Sequence, residues 1–170
     1  MPTEVHIKPS DGANDSPRFD SPLQMYSFLK YVNYKDFDTL MSPEEVLIQN
    51  QGSCHDQAFF ILDELARQGY APVGKFMMVV DETGQGGETH SFVYFRWGER
   101  YCWAETSWEL YYGLNTFDTE QELLAYVIDA FVTRNPDMVV YVGDFIPEDH
   151  SVGEDLDTLV DICMESAIQV

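Results

Sequence analysis

A thiol becomes a useful nucleophile when something favours its thiolate and a base stands within reach. Cys54 meets the first condition by position. It lies in Gly52-Ser53-Cys54-His55-Asp56-Gln57, where Ser53 and Asp56 have the spacing of a helix cap and its third-position acceptor. That spacing predicts a helix opening at Cys54. The thiol would then sit near the positive end of the macrodipole, beside unpaired backbone N–H groups. The same N–H groups could hold an oxyanion formed on a bound carbonyl. Gly52 would let a substrate approach the backbone.

The base is expected further along. His55 is adjacent, but consecutive helical residues point about 100° apart. That sets His55 aside as a surface or substrate-side residue. His90 opens an aromatic and β-branched run, His90–Trp97, just after the glycine-rich stretch 82–89. Arg100–Thr106 is a second such run, and Gly98-Glu99 between them suits a type II′ turn. A two-residue turn pairs Trp97 with Arg100 and puts Phe92 opposite Glu105. His90 and Glu105 then become diagonal neighbours on one face, a spacing a glutamate can bridge. A carboxylate there fixes the imidazole tautomer and stabilises the imidazolium. A slip of one residue would send the two to opposite faces.

Three segments carry a family resemblance: Gly52-x-Cys54-x-Asp56-Gln57, Thr89-His90-Ser91-Phe92, and Trp103-Ala104-Glu105-Thr106-Ser107-Trp108. Their order resembles the transglutaminase-like superfamily, a circularly rearranged relative of the papain-like cysteine peptidases, and within it small bacterial and phage members. The resemblance covers residues 42 to 125. It implies a Cys–His–acid triad made here of Cys54, His90 and Glu105, with glutamate where many members have aspartate. It also implies an oxyanion donor upstream of the cysteine, for which Gln49 and Gln51 are the candidates. The implied chemistry is acyl transfer through a thioester on a protein or peptide amide, ending in hydrolysis or transamidation and needing no cofactor. Trp103, Trp108 and Tyr94 are the candidate substrate-binding residues, with Tyr111 and Tyr112 nearby; aromatic side chains at such positions also serve as core.

The elements that must position these residues are legible in outline. Ser21-Pro22 starts a helix over about 23–32, and Ser42-Pro43-Glu44-Glu45 starts another that reaches Gln49. The helix from Cys54 has apolar residues at 54, 58, 61, 62, 65 and 66 and a stop at Gly69. Strands are expected at 73–81 and 138–145, and helices at 119–134 and 156–164. Helices come first and strands cluster after them, so the expected class is α+β, with the cysteine helix packed on a small antiparallel sheet. Residues 1–18 are expected to be a flexible N-terminal tail and 19–170 a single domain.

Composition narrows the partners. Thirty acidic and nine basic residues give a net charge of −21, which repels nucleic acid and anionic lipid and favours a basic or amine-bearing substrate. No apolar run is long enough to span a membrane, and residues 1–19 lack a signal-peptide core. The three cysteines form no CxxC pair and the four histidines are scattered, so neither a disulfide framework nor a metal site is expected. The expected location is cytoplasmic. Two other classes fit the same residues: a non-catalytic binding module of the same fold, and an acidic decoy that imitates nucleic acid toward a basic partner.

Overall fold

The computed structural model describes residues 16–170. The tail expected over 1–18 therefore lies mostly outside the described residues. Arg18 at its end is held by charge: its guanidinium donates to Asp63 Oδ2 and Glu44 Oε1, both at 2.6 Å.

Helices begin where side-chain oxygens can accept orphan N–H groups. Ser21 caps α1 (Pro22–Leu29), and Ser42 and Glu45 form a full capping box on α2 (Pro43–Gln49). Ser53 and Asp56 form another on α3 (Cys54–Arg67). Thr119 caps α4 (Glu120–Arg134) and Asp155 caps α5 (Leu156–Met164). Helix α1 stops at Leu29, short of 32, because the N–H groups of Tyr31 and Val32 turn back to carbonyls three residues earlier.

The strands are β1 (Asn33–Tyr34), β2 (Gln51–Gly52), β3 (Val73–Val80), β4 (Gly86–Trp97), β5 (Arg100–Glu105), β6 (Gly113–Phe117), β7 (Val139–Asp144) and β8 (Ile168–Gln169). The last six form one sheet in the order β6-β5-β4-β3-β7-β8, with every pairing antiparallel. Strands β1 and β2 form a separate parallel pair. The glycine-rich stretch is not all loop, as the sequence suggests. Strand β4 starts at Gly86, where pairing with Val80 of β3 supplies hydrogen bonds that local propensity would not.

Alternation along β4 divides the core. Val93 and Phe95 join α1, α2, α3 and α5 in one apolar cluster, while Phe92 and Tyr94 join α4 in the other. The molecule is thus α+β, with α3 on one face of a six-stranded antiparallel sheet and α4 on the other. Helix α3 is buried along its first twelve residues, Cys54 to Leu65, and not along a single stripe. Neighbours on all sides explain this: the sheet on one, α1 and α2 on others. No helix among the described residues is long and apolar enough to cross a membrane.

Candidate active site

The start of α3 is built as a knot of hydrogen bonds. Asp56 Oδ2 accepts from the Ser53 N–H and hydroxyl at 2.9 Å each, and Oδ1 accepts from the Met41 N–H at 2.8 Å. Gly52 leaves space for this carboxylate, since a Cβ there would lie 3.0 Å from Asp56 Cβ. Its missing side chain therefore serves packing, and the residue is buried. Gln57 braces the helix to the sheet: its Nε2 donates to the Gly52 carbonyl at 3.0 Å and its Oε1 accepts from Thr106 Oγ1 at 2.6 Å. Each member of the Gly-x-Cys-x-Asp-Gln segment thus has a physical task, and together they fix where Cys54 stands.

The hairpin has the expected register. Trp97 pairs with Arg100, and the ladder runs to Val93 opposite Ala104. Gly98 has φ 66° while Glu99 is not left-handed, which makes the turn type II′. His90 Nε2 lies 2.6 Å from Glu105 Oε1. The other carboxylate oxygen accepts the N–H groups of Thr106, Ser107 and Trp108 at 3.0, 3.0 and 3.2 Å, and the Ser107 hydroxyl at 3.2 Å. Chain direction after Glu105 is therefore dictated by its own side chain. The chain turns away from β4, and the β4 edge at His90 is left open to the start of α3.

With Nε2 committed to Glu105, Nδ1 is the nitrogen left for the Cys54 sulfur, which lines the same cleft as His90. Burial alone would raise the Cys54 thiol. The charge of His55, then that of His90, outweighs it and brings the thiol down to about 5. Burial alone would lower the His90 imidazole. The Glu105 charge, then Cys54, outweigh it and lift the ring to about 10. At neutral pH the pair is a thiolate and an imidazolium.

Tyr34 also reaches this thiol, and nothing in the sequence marks it. Parallel pairing of β1 with β2 puts Tyr34 beside Gly52, and Tyr34 and Cys54 line the same cleft. Burial, then the adjacent thiolate charge, push the phenol up to about 12, so it remains a donor. A two-residue strand has no periodicity to read, which is why Tyr34 escapes sequence reasoning. The expected donors Gln49 and Gln51 lie elsewhere: Gln51 Nε2 donates to Gln49 Oε1 at 2.9 Å, and neither lines the cleft at Cys54.

That cleft has a volume of about 270 Å³ and is walled by Tyr34, Thr89, His90, Ser107, Trp108 and Arg134, among others. Trp108 packs edge-on to His90 at 5.3 Å. Arg134 lies over Trp108 at 5.9 Å and pairs with Glu88 at 2.9 Å on the rim. A groove of about 440 Å³ continues past Trp108 and Arg134 between Leu110, Tyr111 and Tyr126. Of the three expected substrate contacts only Trp108 lines these spaces. Trp103 is fully buried, and Tyr94 is buried with its hydroxyl on Glu120 at 3.0 Å; both are core on the α4 face.

His55 is not a surface residue. It is 2% exposed, with Nδ1 on Ser91 Oγ at 2.7 Å and Nε2 on Thr89 Oγ1 at 3.0 Å. The helical angle does turn it away from the direction of Cys54. Because α3 is enclosed on all sides, that direction leads into the sheet and not into solvent.

A second Cys–His–Glu set occurs at the other end of the chain. His150 Nδ1 lies 2.7 Å from Glu154 Oε1, and its Nε2 lies 3.7 Å from Cys163 Sγ. The ring is stacked on Phe145 at 4.6 Å, and Cys163 has no exposed surface. Burial, then the charges of Glu154, Asp144 and Asp149, push this thiol up to about 12. Among the described residues no group of three His, Cys, Asp or Glu side chains is placed to hold a metal ion.

No protein-family model matches the chain, and no curated protein matches it either. Among solved structures it is similar to Legionella pneumophila LapG. The EGTA-treated form is 16% identical over 83% of this chain and 75% of that one, with a TM-score of 0.40. The calcium-bound form is 16% identical over 81% and 75%, with a TM-score of 0.38.

Proposed function

We propose that the chain is a thiol acyl-transfer enzyme acting on protein or peptide amides, with Cys54 as nucleophile, His90 as acid–base residue and Glu105 as the carboxylate that orients His90. The observation that carries this reading is the relay itself: a thiol lowered to about 5, facing an imidazole raised to about 10 whose far nitrogen is 2.6 Å from a glutamate. Neighbours that shift a cysteine and a histidine this far in opposite directions, in a cleft, are the mark of a prepared nucleophile. The reading agrees with the resemblance of the three motif segments to the transglutaminase-like superfamily.

The steps follow from the charges. The Cys54 thiolate attacks the amide carbonyl, forming a C–S bond and an oxyanion. The Tyr34 hydroxyl and the N–H groups of Cys54 and His55, which precede the capped Asp56 N–H and the first intrahelical bond, are the donors available to that oxyanion. His90 passes the proton on Nδ1 to the departing nitrogen, the C–N bond breaks, and a thioester remains on Cys54. Water or an amine then attacks the thioester, giving its proton to His90, and the acid or new amide leaves as the thiolate reforms. The groove running on past Trp108 supports an extended peptide over a small free amide. The net charge of −21 supports a basic or amine-bearing one.

The test is intact-mass analysis of wild-type and Cys54→Ala protein after brief exposure to a mixed peptide pool, with acid quenching. An acyl adduct on the wild type alone is expected. A wild-type Cys54 that neither acylates nor alkylates near neutral pH would sink the reading.

A further inference from the structure

Two consecutive residues of α3 meet three consecutive residues of β4. Cys54 faces His90, while His55 takes the hydroxyls of Ser91 and Thr89 on its two ring nitrogens, at 2.7 and 3.0 Å. Strand alternation sends Thr89 and Ser91 to one face and His90 to the other. The two imidazoles therefore grip the same stretch of strand from opposite sides: Glu105 holds one of them, and the other is itself the clamp.

The clamp sits where β4 needs one. On the β5 side the backbone ladder has ended at Val93, so no backbone pairing with β5 fixes Thr89 to Ser91, and only the Glu105 side chain reaches His90. On the β3 side His90 still pairs with Met77. The His55 ring has one orientation available, because both nitrogens are engaged and it packs edge-on to Phe37 at 5.5 Å and against Phe76 at 5.9 Å. A buried histidine bonded to two hydroxyls is most often only a satisfied core residue. Here its two partners flank His90, the β4 residue that faces the neighbouring thiol.

We infer that His55 is a positioning residue for the reaction proposed above: by binding the hydroxyls on either side of His90 it sets that imidazole against the Cys54 sulfur. The inference rests on that reading of the site. The titratable groups around the sulfur are His55 on α3, His90 on β4 and Tyr34 on β1.

The experiment compares wild type, His55→Phe, His55→Gln and the double variant Thr89→Val/Ser91→Ala. Two quantities are read: the pH profile of Cys54 alkylation by iodoacetamide, and the NMR signal of the His90 ring N–H held by Glu105. Removing either side of the clamp should move the acid limb up by about one pH unit, so that the rate at pH 4 falls about tenfold. His55→Phe combined with the double variant should add little beyond either alone, since both remove the same two bonds. His55→Gln, which keeps an amide against the hydroxyls, should recover part of the loss. The His90 ring signal should shift or broaden in the double variant, which leaves α3 intact even where His55→Phe lowers folding yield. A merely structural role would lower the melting temperature and leave the acid limb and the ring signal in place; that outcome overturns the inference. A wild-type profile with no acid limb below the free-thiol range overturns the acyl-transfer reading instead, and the ring signal then decides the positioning role.

Discussion

Cys54 and Cys163 each face the ring of a histidine whose other nitrogen is held by a glutamate. Yet one thiol is driven down to about 5 and the other up to about 12. Both are buried, and burial pushes both upward. The difference comes from what surrounds them. Cys54 opens α3, at the positive helix end, with two imidazoles and a phenol around its sulfur. Cys163 lies in the last turn of α5, at the negative end, with Glu154, Asp144 and Asp149 as neighbouring charges. The glutamates differ as well. Glu105 reaches across a hairpin and is fixed by three backbone N–H groups, whereas Glu154 is four residues from its histidine and closes a local loop. A Cys–His–Glu constellation is therefore not an activated thiol unless helix end, surrounding charge and access agree.

Several substitutions would break or sharpen that contrast. The largest effect is expected at the proposed nucleophile: Cys54→Ala should remove all acylation, while Cys163→Ala should leave it at the wild-type rate. In the wild type, the two thiolate populations at pH 7 differ by roughly five orders of magnitude. Lower intrinsic nucleophilicity of the more acidic thiol returns about three of them. Cys54 should thus alkylate at least about a hundredfold faster than Cys163, read by peptide mapping of the labelled protein; comparable rates would erase the contrast.

Next come the glutamates. Glu105→Gln places an amide before backbone donors and removes the charge that holds His90 protonated. Turnover should fall by about 10²–10⁴, the usual contribution of a positioned acid–base group. The alkaline limb should move down from about 10. Glu154→Gln should leave both the rate and the limb unchanged.

Stability against pH gives a smaller signature. His90 titrates above its ordinary value, so its contribution is complete below the ordinary imidazole range and is lost as pH rises through about 10. Cys54 titrates below its ordinary value, so its contribution is complete above the ordinary thiol range and is lost as pH falls through about 5. Melting temperatures should therefore be highest between the ordinary imidazole and thiol ranges and decline from there toward about pH 5 and about pH 10, and Glu105→Gln should flatten the alkaline decline. The smallest effect belongs to Cys163→Ala, which removes one fully buried sulfur and should cost about 1 kcal/mol in denaturant unfolding.

Local signals were read well wherever a short segment supplies its own hydrogen bonds or turn. The capping boxes at Ser42 and Ser53 stand as the spacing predicts, as do the limits of α5 and the two-residue turn at Gly98-Glu99. The turn is what made the His90–Glu105 contact legible: it sets the register, and side-chain alternation does the rest. Strands β1, β2 and β8 are not legible, since each has two residues and owes its hydrogen bonds to partners distant in sequence; β6 pairs with the preceding β5 but carries no alternating apolar pattern. Tyr34 was lost with β1. His55 lies in the core and not at the surface because the angle around a helix says which way a residue points but not what lies there.

The sequence by itself determined that Cys54 starts a helix and that His90 and Glu105 share a face of one hairpin. Both follow from contacts within about twenty residues. Tertiary structure alone decided that the helix start meets the open edge of β4, that Tyr34 and His55 close around the thiol, and that Cys163 beside His150 stays protonated. Those outcomes depend on the net field of groups brought together from separate segments, and such a field is a property of the packed fold, not of any one stretch of chain.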